Sequence, residues 1–535
     1  MRIFTGPKVL PLDGTAPEAL AVDGEWITAT GSRAELREQF PEAERVELDG
    51  ALLVPGFNDA HCHTSQAALA RVRVDVAGAA SREDVRAALA ERAAATPAGE
   101  WVVGQGVDEA KVPGVDRDLL DAASREHPIV VVQYTFHRAV ANSRALELLG
   151  YRDATDAPPG GELPAGPDGR LTGWLIERAW LDPWLPGPQR TSIAPGGEAS
   201  AQVAALRAVN DELHRVGITS YCDAIVTPLE QQMYAAAHAD GVLTPRVSML
   251  LWHTYFDAAA WSTAQPTAQP TAQLSAQPAA QPDPTRLQLA GVKLMLDGAF
   301  SGGTCLCRHP YGGGRTGLQV LGDDDFAATV RAADAAGARV AVHANGDLAI
   351  AKVMDVYESL PARAGRPNHR IEHCSIVDDS LVARIAAAGV TPVPFGPFIA
   401  LFGEKVTDLY GPERIAMACA HRSFLDAGVP VGGSSDFPIV PIDPLLAVQS
   451  LVTRTTASGL VVGAGQRLGV VDALRVYTTG SAHATGESAI KGTLAAGKLA
   501  DFTVLDADVT TIDPSGIADV GIRSTWVGGQ QVWAA

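Results

Sequence analysis

Short apolar runs alternate with longer alanine-rich segments along most of the chain. Runs such as Ile218–Ala224 and Arg246–Trp252 are apolar almost throughout, which is typical of strands buried on both faces of a parallel sheet. Segments such as Asp324–Ala336 and Asp379–Ala388 predict helices between the later strands. Alternating strands and helices are the pattern of a parallel α/β protein.

Eight strand candidates follow from this pattern. They are Val54–His63, Ile218–Ala224, Arg246–Trp252, Leu289–Asp297, Arg339–Asn345, Arg370–Cys374, Thr391–Phe395 and Val429–Asp436. Eight strands separated by helices fit a closed (β/α)8 TIM barrel, which we expect over residues 56–484. An open, doubly wound sheet fits the pattern almost as well.

The two ends of the chain have a different, β-rich pattern. Residues 1–55 predict short strands separated by turns such as Asp23-Gly24, and residues 485–535 contain further strand-like runs. We expect the two ends to pair into one small β-sandwich domain. The predicted fold class is therefore α/β, a TIM barrel with a small β-sandwich built from both chain ends.

Two segments interrupt the barrel pattern. Residues from about 75 to 215 separate the first two strand candidates and contain a further strand-like run, Ile129–Phe136. We interpret them as a large insertion that covers the barrel mouth. Residues 264–282 form a repeat rich in alanine, glutamine and proline, whose composition predicts a disordered surface loop.

Composition and charge exclude several kinds of partner. The 535 residues carry a net charge of −19, and an acidic surface repels phosphate backbones, so we expect no nucleic-acid partner. The absence of an apolar run of 18 residues and of an apolar leader predicts no membrane partner and no secretion signal. Six scattered cysteines are typical of reduced thiols in the cytoplasm. The sequence leaves the oligomeric state open, a homodimer included.

The strongest candidate for metal chemistry is His61-Cys62-His63, at the end of the first predicted strand. Residues two apart on a strand point the same way, so both imidazoles can reach one ion. Further ligand types, His343, His373 and Asp436, stand at the ends of later strands, which meet at one rim of a barrel. The set suits one or two divalent ions, most readily Zn²⁺. The alternative, that each is an ordinary polar residue at a strand end, fits one position but not the whole series.

Lys293 lies within the fourth predicted strand, where a bare ammonium group is costly to bury. One interpretation is an ion pair with Asp297, four residues later, which also faces inward. The other is that Lys293 is carbamylated and bridges two metal ions. The residues alone leave both interpretations open.

The motifs that carry these residues resemble those of the amidohydrolase superfamily, and in particular its YtcJ-like branch, which includes N-substituted formamide deformylases. The matching segments are Val54–His63, Val292–Gly298, Val342–Asp347, Ile371–His373, Gly433–Asp436 with Asp443-Pro444, and Gly492–Phe502. The resemblance implies a metal site, with Lys293 carboxylated, that is made of His61, His63, Lys293, His343, His373 and Asp436.

The resemblance also implies a mechanism and two catalytic residues, Asp436 and His373. A metal ion lowers the pKa of a bound water, which attacks the carbonyl carbon of the substrate. Asp436 accepts a proton from this water and returns it to the leaving nitrogen. A structural alternative for Asp436 is a helix N-cap, which is common for Ser-Ser-Asp sequences.

Three further residues are candidates for contacting the substrate. His137 lies in a stretch of the insertion that resembles a motif of the branch, where it either lines the pocket or has no part in the chemistry. Asp347 follows the histidine of the fifth strand, and it either orients His343 or binds the substrate. Phe395 lies where the branch has a Gln-Pro-type segment, so it makes that side of the pocket apolar. A second departure is Asp297-Gly298-Ala299, where the branch has Asp-Gly-Ser. Both departures concern the substrate and not the chemistry.

The sequence therefore predicts a metal-dependent hydrolase that cleaves an amide-type C–N bond of a small molecule, such as an N-acyl, N-formyl or cyclic amide. Ester or lactone hydrolysis and deamination would use the same site. A non-catalytic regulatory or binding protein is the other alternative, because some members of the branch were named as exoenzyme regulators. That alternative predicts the loss of at least one ligand residue, and all six are present.

Overall fold

The computed structural model describes residues 1–194, 196–263, 285–361 and 368–535. The repeat at 264–282, which we predicted to be a disordered loop, lies outside these ranges. Within them, no helix is both long enough and apolar enough to cross a membrane. All six cysteines are described, and each is a buried free thiol.

A seven-stranded parallel sheet forms the centre of the molecule. Its strands pair in chain order, and they are Phe57–Cys62, Ile218–Val226, Arg246–Trp252, Leu287–Met295, Val340–Ala344, Arg370–His373 and Thr391–Val393. Each strand is parallel to its neighbours. These strands correspond to the first seven candidates from the sequence.

An irregular segment, residues 429–436, takes the place of the eighth strand. On one side of it, the Ala60 amide donates to the Gly433 carbonyl at 2.8 Å. On the other side, the Gly396 amide donates to the Ser434 carbonyl at 2.9 Å. These bonds join the last strand to the first, so the sheet closes into an α/β barrel of the TIM type. The expectation of a regular eighth strand was wrong, because only Ser434 makes a ladder bridge there.

Helices follow most barrel strands and cover the outside of the sheet. Several begin at a polar N-cap: the side chains of Thr227, Asp378 and Asp443 each accept a backbone N–H of the first turn. The α-helices of the described residues are Arg33–Gln39, Thr64–Ala70, Arg82–Ala95, Arg117–Ala123, Ser143–Leu149, Arg178–Trp184, Ala199–Arg215, Pro228–Ala239, Ala258–Thr263, Asp323–Ala335, Asp347–Glu358, Asp379–Ala388, Phe398–Tyr410, Pro412–Ile415, His421–Asp426, Pro444–Thr453, Val470–Arg475 and Ser481–Thr485.

The largest hydrophobic core lies between the barrel strands and these helices. Val292 and Val342 on the strands are fully buried, and so are Ile350 and Ile385 on the helices that cover them. Removing such apolar surface from water contributes about 25 cal/mol per Å². A closely packed core of this kind holds the strand ends, and therefore the side chains they carry, in fixed positions.

The two chain ends form two further sheets. One contains Trp26–Gly31, Ala19–Asp23, Arg2–Thr5 and Glu44–Glu47, and the other contains Lys8–Val9, Leu52–Pro55, Phe502–Leu505, Ile522–Val527 and Gln530–Ala534. The second sheet joins the ends of the chain, because Leu52–Pro55 pairs antiparallel with Phe502–Leu505. Phe4 of the first sheet packs its ring 5.2 Å from those of Phe502 and Trp526. The two sheets therefore share one apolar core.

The insertion forms a six-stranded sheet of its own. Its strands are Gly161–Glu162, Trp174–Glu177, Arg138–Ala141, Ile129–Gln133, Val102–Val107 and Val74–Asp75. Leu175 and Trp184 from this part of the chain share a core with Ile225, Trp252 and Met295, at the carboxyl ends of the second, third and fourth barrel strands. The insertion therefore packs against the rim of the barrel where the predicted site residues stand.

A buried ion pair links the barrel to the part of the terminal sheets that comes from the C-terminal end of the chain. Arg246, only 1% exposed, donates to both carboxylate oxygens of Asp501, at 2.6 and 3.0 Å, and to Glu25 at 2.8 Å. Burial raises the pKa of Asp501, but the Arg246 charge more than offsets this and holds it below the usual value. Removing Arg246 would leave a buried carboxylate without its counter-charge.

We therefore expect Arg246→Met to lower the free energy of unfolding by about 3–5 kcal/mol. Arg523→Met is the matched control, because Arg523 pairs with Asp506 at 2.8 Å on the exposed surface. The control change is expected to cost about 0–1 kcal/mol. Urea-denaturation midpoints measure both effects, and equal midpoints for the two variants would contradict the role given to Arg246.

Candidate metal centre at the barrel rim

Three predicted ligands come together where the first strand and the closing segment end. One ligand atom each from His61, His63 and Asp436 lies within 4.8 Å of the other two. Asp436 Oδ1 is 3.3 Å from His61 Nε2 and 3.1 Å from His63 Nε2. All three residues are buried, although the first two are 373 or more positions away from the third. The barrel closure brings them together.

Two further predicted ligands extend this group along the rim. The His373 ring lies 4.7 Å from the His61 ring, and the His343 ring lies 4.6 Å from the His373 ring. Both histidines stand at the carboxyl ends of their strands and are at most 3% exposed. Four imidazoles and one carboxylate therefore form a continuous group along the rim.

Several polar atoms in this group have no hydrogen-bond partner in the part of the chain that the structure describes. They include His61 Nε2, Asp436 Oδ1 and His373 Nδ1, all of them buried. An unpaired buried polar atom costs about 1–3 kcal/mol, and more when it is charged. A divalent cation among these atoms would satisfy them, and imidazole with carboxylate is a donor set that such ions accept. The residues present therefore fit a bound metal ion.

The electrostatics leave these donors in the form that binds cations. Burial lowers the pKa of His343 and of His373 well below the usual value, so both rings are neutral near pH 7. Burial raises the pKa of Asp436, but the neighbouring His373, His61 and His63 more than offset it and keep the carboxyl ionised. Neutral imidazoles and an ionised carboxylate offer lone pairs to a metal ion.

Glu372 sets the orientation of His61. The His61 Nδ1–H donates to Glu372 Oε2, and Arg370 donates to both oxygens of the same carboxylate, at 2.8 and 2.7 Å. Burial opposes ionisation, but the Arg370 charge and then His61 hold the pKa of Glu372 well below its usual value. With Nδ1 bonded in this way, Nε2 faces Asp436 with its lone pair. The sequence analysis missed Glu372, although it lies in the sixth-strand motif.

Lys293 is buried on the fourth strand, with 1% of its surface exposed. Burial lowers the pKa of its ammonium group to about 8, while the charges of Glu372 and Asp436 act in the opposite direction. Lys293 is therefore close enough to Glu372 and Asp436 for their charges to act on its amine.

The interpretation that Asp297 pairs with Lys293 was wrong. Instead, the Asp297 carboxylate accepts the backbone N–H groups of Leu306, Asn345 and Gly346, each at 2.9 Å. Burial raises the pKa of Asp297 to about 7, against the effect of these bonds. Asp297 therefore ties the loops after the fourth and fifth strands together.

His343 is oriented by the backbone and not by Asp347. His343 Nε2 lies 3.2 Å from the Gly298 carbonyl, to which it can donate, and 3.0 Å from Asn345 Nδ2. Donation from Nε2 leaves the lone pair on Nδ1. Asp347 instead accepts the Arg308 backbone N–H at 3.0 Å, in the first turn of its helix. The suggestion that Asp347 orients His343 was therefore wrong.

Asp436 does not cap a helix, so the structural alternative for this residue was wrong. The next helix begins at Pro444 and is capped by Asp443. The segment before Asp436 is held by Asp59, which accepts the backbone N–H of Ser435 at 3.2 Å and that of His61 at 3.1 Å. Burial raises the pKa of Asp59 to about 6. Asp59, which the sequence analysis also missed, aligns the first strand with the closing segment.

Backbone strain is concentrated around this centre. Among the residues that the structure describes, eight other than glycine have a positive φ, and five of these eight belong to the site or border it: Phe136, Glu177, His373, Cys374 and Asp436. Such conformations cost about 1–3 kcal/mol each and persist only where the surrounding structure enforces them. Their clustering marks this rim as a functional region.

Aromatic rings and one further histidine border the ligand group. The Phe395 ring stacks on the His373 ring at 4.3 Å, which makes this side of the ligand group apolar. The Phe136 ring lies 6.0 Å from that of His63. His137, from the insertion, places its ring 5.2 Å from His343.

These features define an α/β barrel with a candidate metal site of histidine and carboxylate ligands, and comparison with known proteins identifies its family. Residues 44–533 match the model of the amidohydrolase family. The chain therefore belongs to the amidohydrolase family. Residues 19–43 also match an imidazolonepropionase-like composite domain of bacteria.

Individual relatives match over almost the whole chain. The putative amidohydrolase YtcJ of Bacillus subtilis is 30% identical over 97% of either chain. The N-substituted formamide deformylase of Arthrobacter pascens is 27% identical over 99% of this chain and 97% of its own. The crystal structure of an uncharacterized metal-dependent hydrolase from Pyrococcus horikoshii has a TM-score of 0.73 and 24% identity, covering 96% of this chain and 99% of that one. The resemblance to the YtcJ-like branch is confirmed.

Because Glu372 orients His61, we expect Glu372→Gln to weaken binding of a divalent cation about 10- to 100-fold. Competition with a chromogenic chelator measures the affinity. Glu487→Gln is the matched control, because Glu487 is a buried carboxylate paired with Lys491 at 2.7 Å and lies outside the ligand group. Equal affinities in the two variants would contradict the orienting role of Glu372.

Proposed function

We propose that this protein is a metal-dependent hydrolase that cleaves an amide-type C–N bond of a small molecule, such as an N-acyl, N-formyl or cyclic amide. The observation that carries the proposal is the meeting of His61, His63 and Asp436 within 4.8 Å, with buried ligand atoms that have no hydrogen-bond partner among the described residues. Membership of the amidohydrolase family supports it. So do the names of the relatives, an amidohydrolase, a formamide deformylase and a metal-dependent hydrolase.

The proposed metal ligands are His61, His63, Lys293, His343, His373 and Asp436. Zn²⁺ suits this mixture of nitrogen and oxygen donors, in one or two ions, with Lys293 carboxylated where two are bound. The position of Lys293, buried and facing the charges of Glu372 and Asp436, supports its inclusion. When bound, a divalent cation lowers the pKa of a water molecule and polarises the substrate carbonyl.

In this proposal Asp436 moves the proton. Its ionised carboxylate accepts a proton from the attacking water, and it then delivers that proton to the nitrogen as the C–N bond breaks. His61 Nε2 and His63 Nε2 lie 3.3 and 3.1 Å from one oxygen of this carboxylate, so all three would share a bound ion. His373, next to it, is kept neutral by burial and completes the proposed catalytic pair.

The proposed substrate reaches the site from the face covered by the insertion. A cavity of about 460 Å³ opens there between the insertion, the loop after the fourth strand and the helix Phe398–Tyr410. Thr135 and Arg138, which flank the Phe136-His137 pair in the chain, line it together with Ser301. Phe395, which stacks on the His373 ring in the ligand group, favours an apolar substituent near the reacting carbon.

We also propose a cytoplasmic protein that acts on a small molecule without a nucleic-acid or membrane partner, with a homodimer as one possible assembly. The net charge of −19 and the six free thiols support this proposal. For the terminal sheets we propose a single β-sandwich, which the shared core around Phe4, Phe502 and Trp526 supports.

The direct test is turnover of a panel of N-formyl amines, N-acyl amino acids and cyclic imides, with esters and lactones as the alternative class. We expect the metal-loaded protein to hydrolyse at least one amide and to lose activity on chelation, with recovery when Zn²⁺ is returned. A metal-free protein that hydrolyses none of the amides, even after incubation with divalent ions, would rule out the proposed function.

Asp436→Asn is expected to lower kcat about 10²- to 10⁴-fold, because asparagine cannot transfer the proton. Asp443→Asn is the matched control, since asparagine is as good an N-cap as aspartate and Asp443 only begins the next helix. The control variant should keep kcat within about twofold. Steady-state kinetics on the amide that the wild type hydrolyses best measure kcat for both variants. A fully active Asp436→Asn enzyme would refute the proton-transfer role of Asp436.

A further inference from the structure

Three charged side chains line the cavity of about 460 Å³ beside the insertion and pair with nothing in the described chain. Arg315 lies in the loop after the fourth barrel strand, and Lys405 and Asp408 lie on the helix Phe398–Tyr410. None of the three makes an ion pair or a side-chain hydrogen bond with a described residue. Lys405 and Asp408 stand three positions apart, a spacing at which opposite charges can pair. Their charges are therefore available to a ligand.

The other charged groups of the cavity wall are bonded to their neighbours. Glu109 accepts from Arg138 at 3.3 Å and from the Gln133 side chain at 3.0 Å. Asp108 lies 4.0 Å from the ammonium group of Lys111. The charges of the wall that remain for a ligand are therefore those of one guanidinium, one ammonium and one carboxylate group.

The cavity lies close to the candidate metal centre but is separated from it. Thr135 in its wall precedes Phe136, whose ring is 6.0 Å from that of His63. Ser301 in its wall follows the first of a row of stacked rings. The rings of this row are Phe300, Phe398, Phe395 and His373, with centroids 5.1, 4.7 and 4.3 Å apart. None of the proposed ligands lines the cavity, so a substrate that reacts at the ligand group reaches the cavity through a spacer.

The signs of the available charges indicate what the far end of the substrate carries. A carboxylate binds guanidinium and ammonium groups, and an ammonium group binds a carboxylate. The free end of an α-amino acid has both charges on one carbon atom. An amide of the α-nitrogen has lost the positive charge, which would leave Asp408 without a partner. An amide of a side-chain nitrogen keeps both charges.

We propose that the cavity binds the free α-amino acid end of the substrate, and that the bond hydrolysed is an amide of the side-chain nitrogen of a diamino acid such as lysine or ornithine. Arg315 and Lys405 bind the α-carboxylate, and Asp408 binds the α-ammonium. The inference rests on the proposed function and narrows it to one substrate class. Water supplies the hydroxyl group of the released carboxylic acid and the hydrogen that the released amine gains.

Four amides that differ only in the charges of the amine part test the proposal. They are Nε-acyl-lysine, Nα-acyl-lysine, 6-acylaminohexanoate, which lacks the α-ammonium, and N-acyl-1,5-diaminopentane, which lacks the α-carboxylate. Each is made with formyl, acetyl and benzoyl groups. We expect kcat/KM to be about tenfold higher for Nε-acyl-lysine than for the other three. Faster hydrolysis of Nα-acyl-lysine would overturn the inference and leave the proposed function intact.

Substitutions in the cavity wall should remove one preference each. Arg315→Gln and Lys405→Gln are expected to abolish the advantage of Nε-acyl-lysine over the diaminopentane amide, and Asp408→Asn its advantage over the hexanoate amide. Because these residues lie away from the reacting atoms, KM should rise while kcat stays within about twofold. All three are exposed, so the changes leave the core intact. Variants with unchanged preferences would contradict the assignment.

Arg331→Gln and Asp240→Asn are the matched controls. Arg331 and Asp240 are exposed charged residues on other helix surfaces, and neither lines the cavity. Both variants remove the same charge as the cavity variants and should keep the preferences of the wild type. Loss of the same preferences in the controls would show that the net charge of the protein, and not the cavity, selects the substrate.

A binding measurement separates this inference from the proposed function. Lysine, 6-aminohexanoate and 1,5-diaminopentane are titrated calorimetrically into the wild type and the cavity variants. We expect lysine to bind the wild type at least about fivefold more tightly than either analogue, and each variant to lose the corresponding preference. If the wild type hydrolyses no amide, the proposed function fails, yet this comparison still decides what the cavity binds. Equal binding of the three amines, or no binding of lysine, would refute the inference.

Discussion

The buried ion pair between Arg370 and Glu372 is the interaction on which the barrel rim depends. A carboxylate without exposure is tolerated only with its charge balanced, and Arg370 supplies that balance through two hydrogen bonds. The balanced carboxylate then fixes one nitrogen of His61, so that the other faces Asp436. Both interactions depend on the low polarity of the barrel interior. There an unpaired charge is costly, and a paired charge holds its partner in a fixed position.

The barrel and its ligand residues could be predicted because their signals are local. Each strand is a short apolar run, and every candidate ligand except Lys293 stands at the end of such a run, where the topology of a barrel brings distant positions together. Groups that act across the chain were not predictable in this way. Glu372 and Asp59 gain their roles from partners on other strands, and the presumed partner of Lys293, Asp297, proved to bind three backbone amides. Those contacts depend on how the barrel strands align with one another, and no single segment of the sequence specifies that alignment.

The insertion and the barrel divide the site between them. The barrel supplies the candidate ligand group, Asp436 included, whereas the insertion supplies Phe136 and His137 and shares an apolar core with the strand ends. Only one of its six strands was visible in the sequence. Four of the others have two to four residues, and the fifth, Val102–Val107, is interrupted by two glycines. A scaffold of this kind can change its substrate through the insertion while the chemistry of the rim stays the same.

The pairing of Leu52–Pro55 with Phe502–Leu505 has a consequence for biosynthesis. The first of these strands leaves the ribosome more than 400 residues before its neighbour is made. At about 5–20 residues per second, that interval lasts roughly 20 to 90 seconds. During this time an apolar strand edge of the nascent chain has no permanent neighbour, which is the situation in which molecular chaperones protect a polypeptide from aggregation.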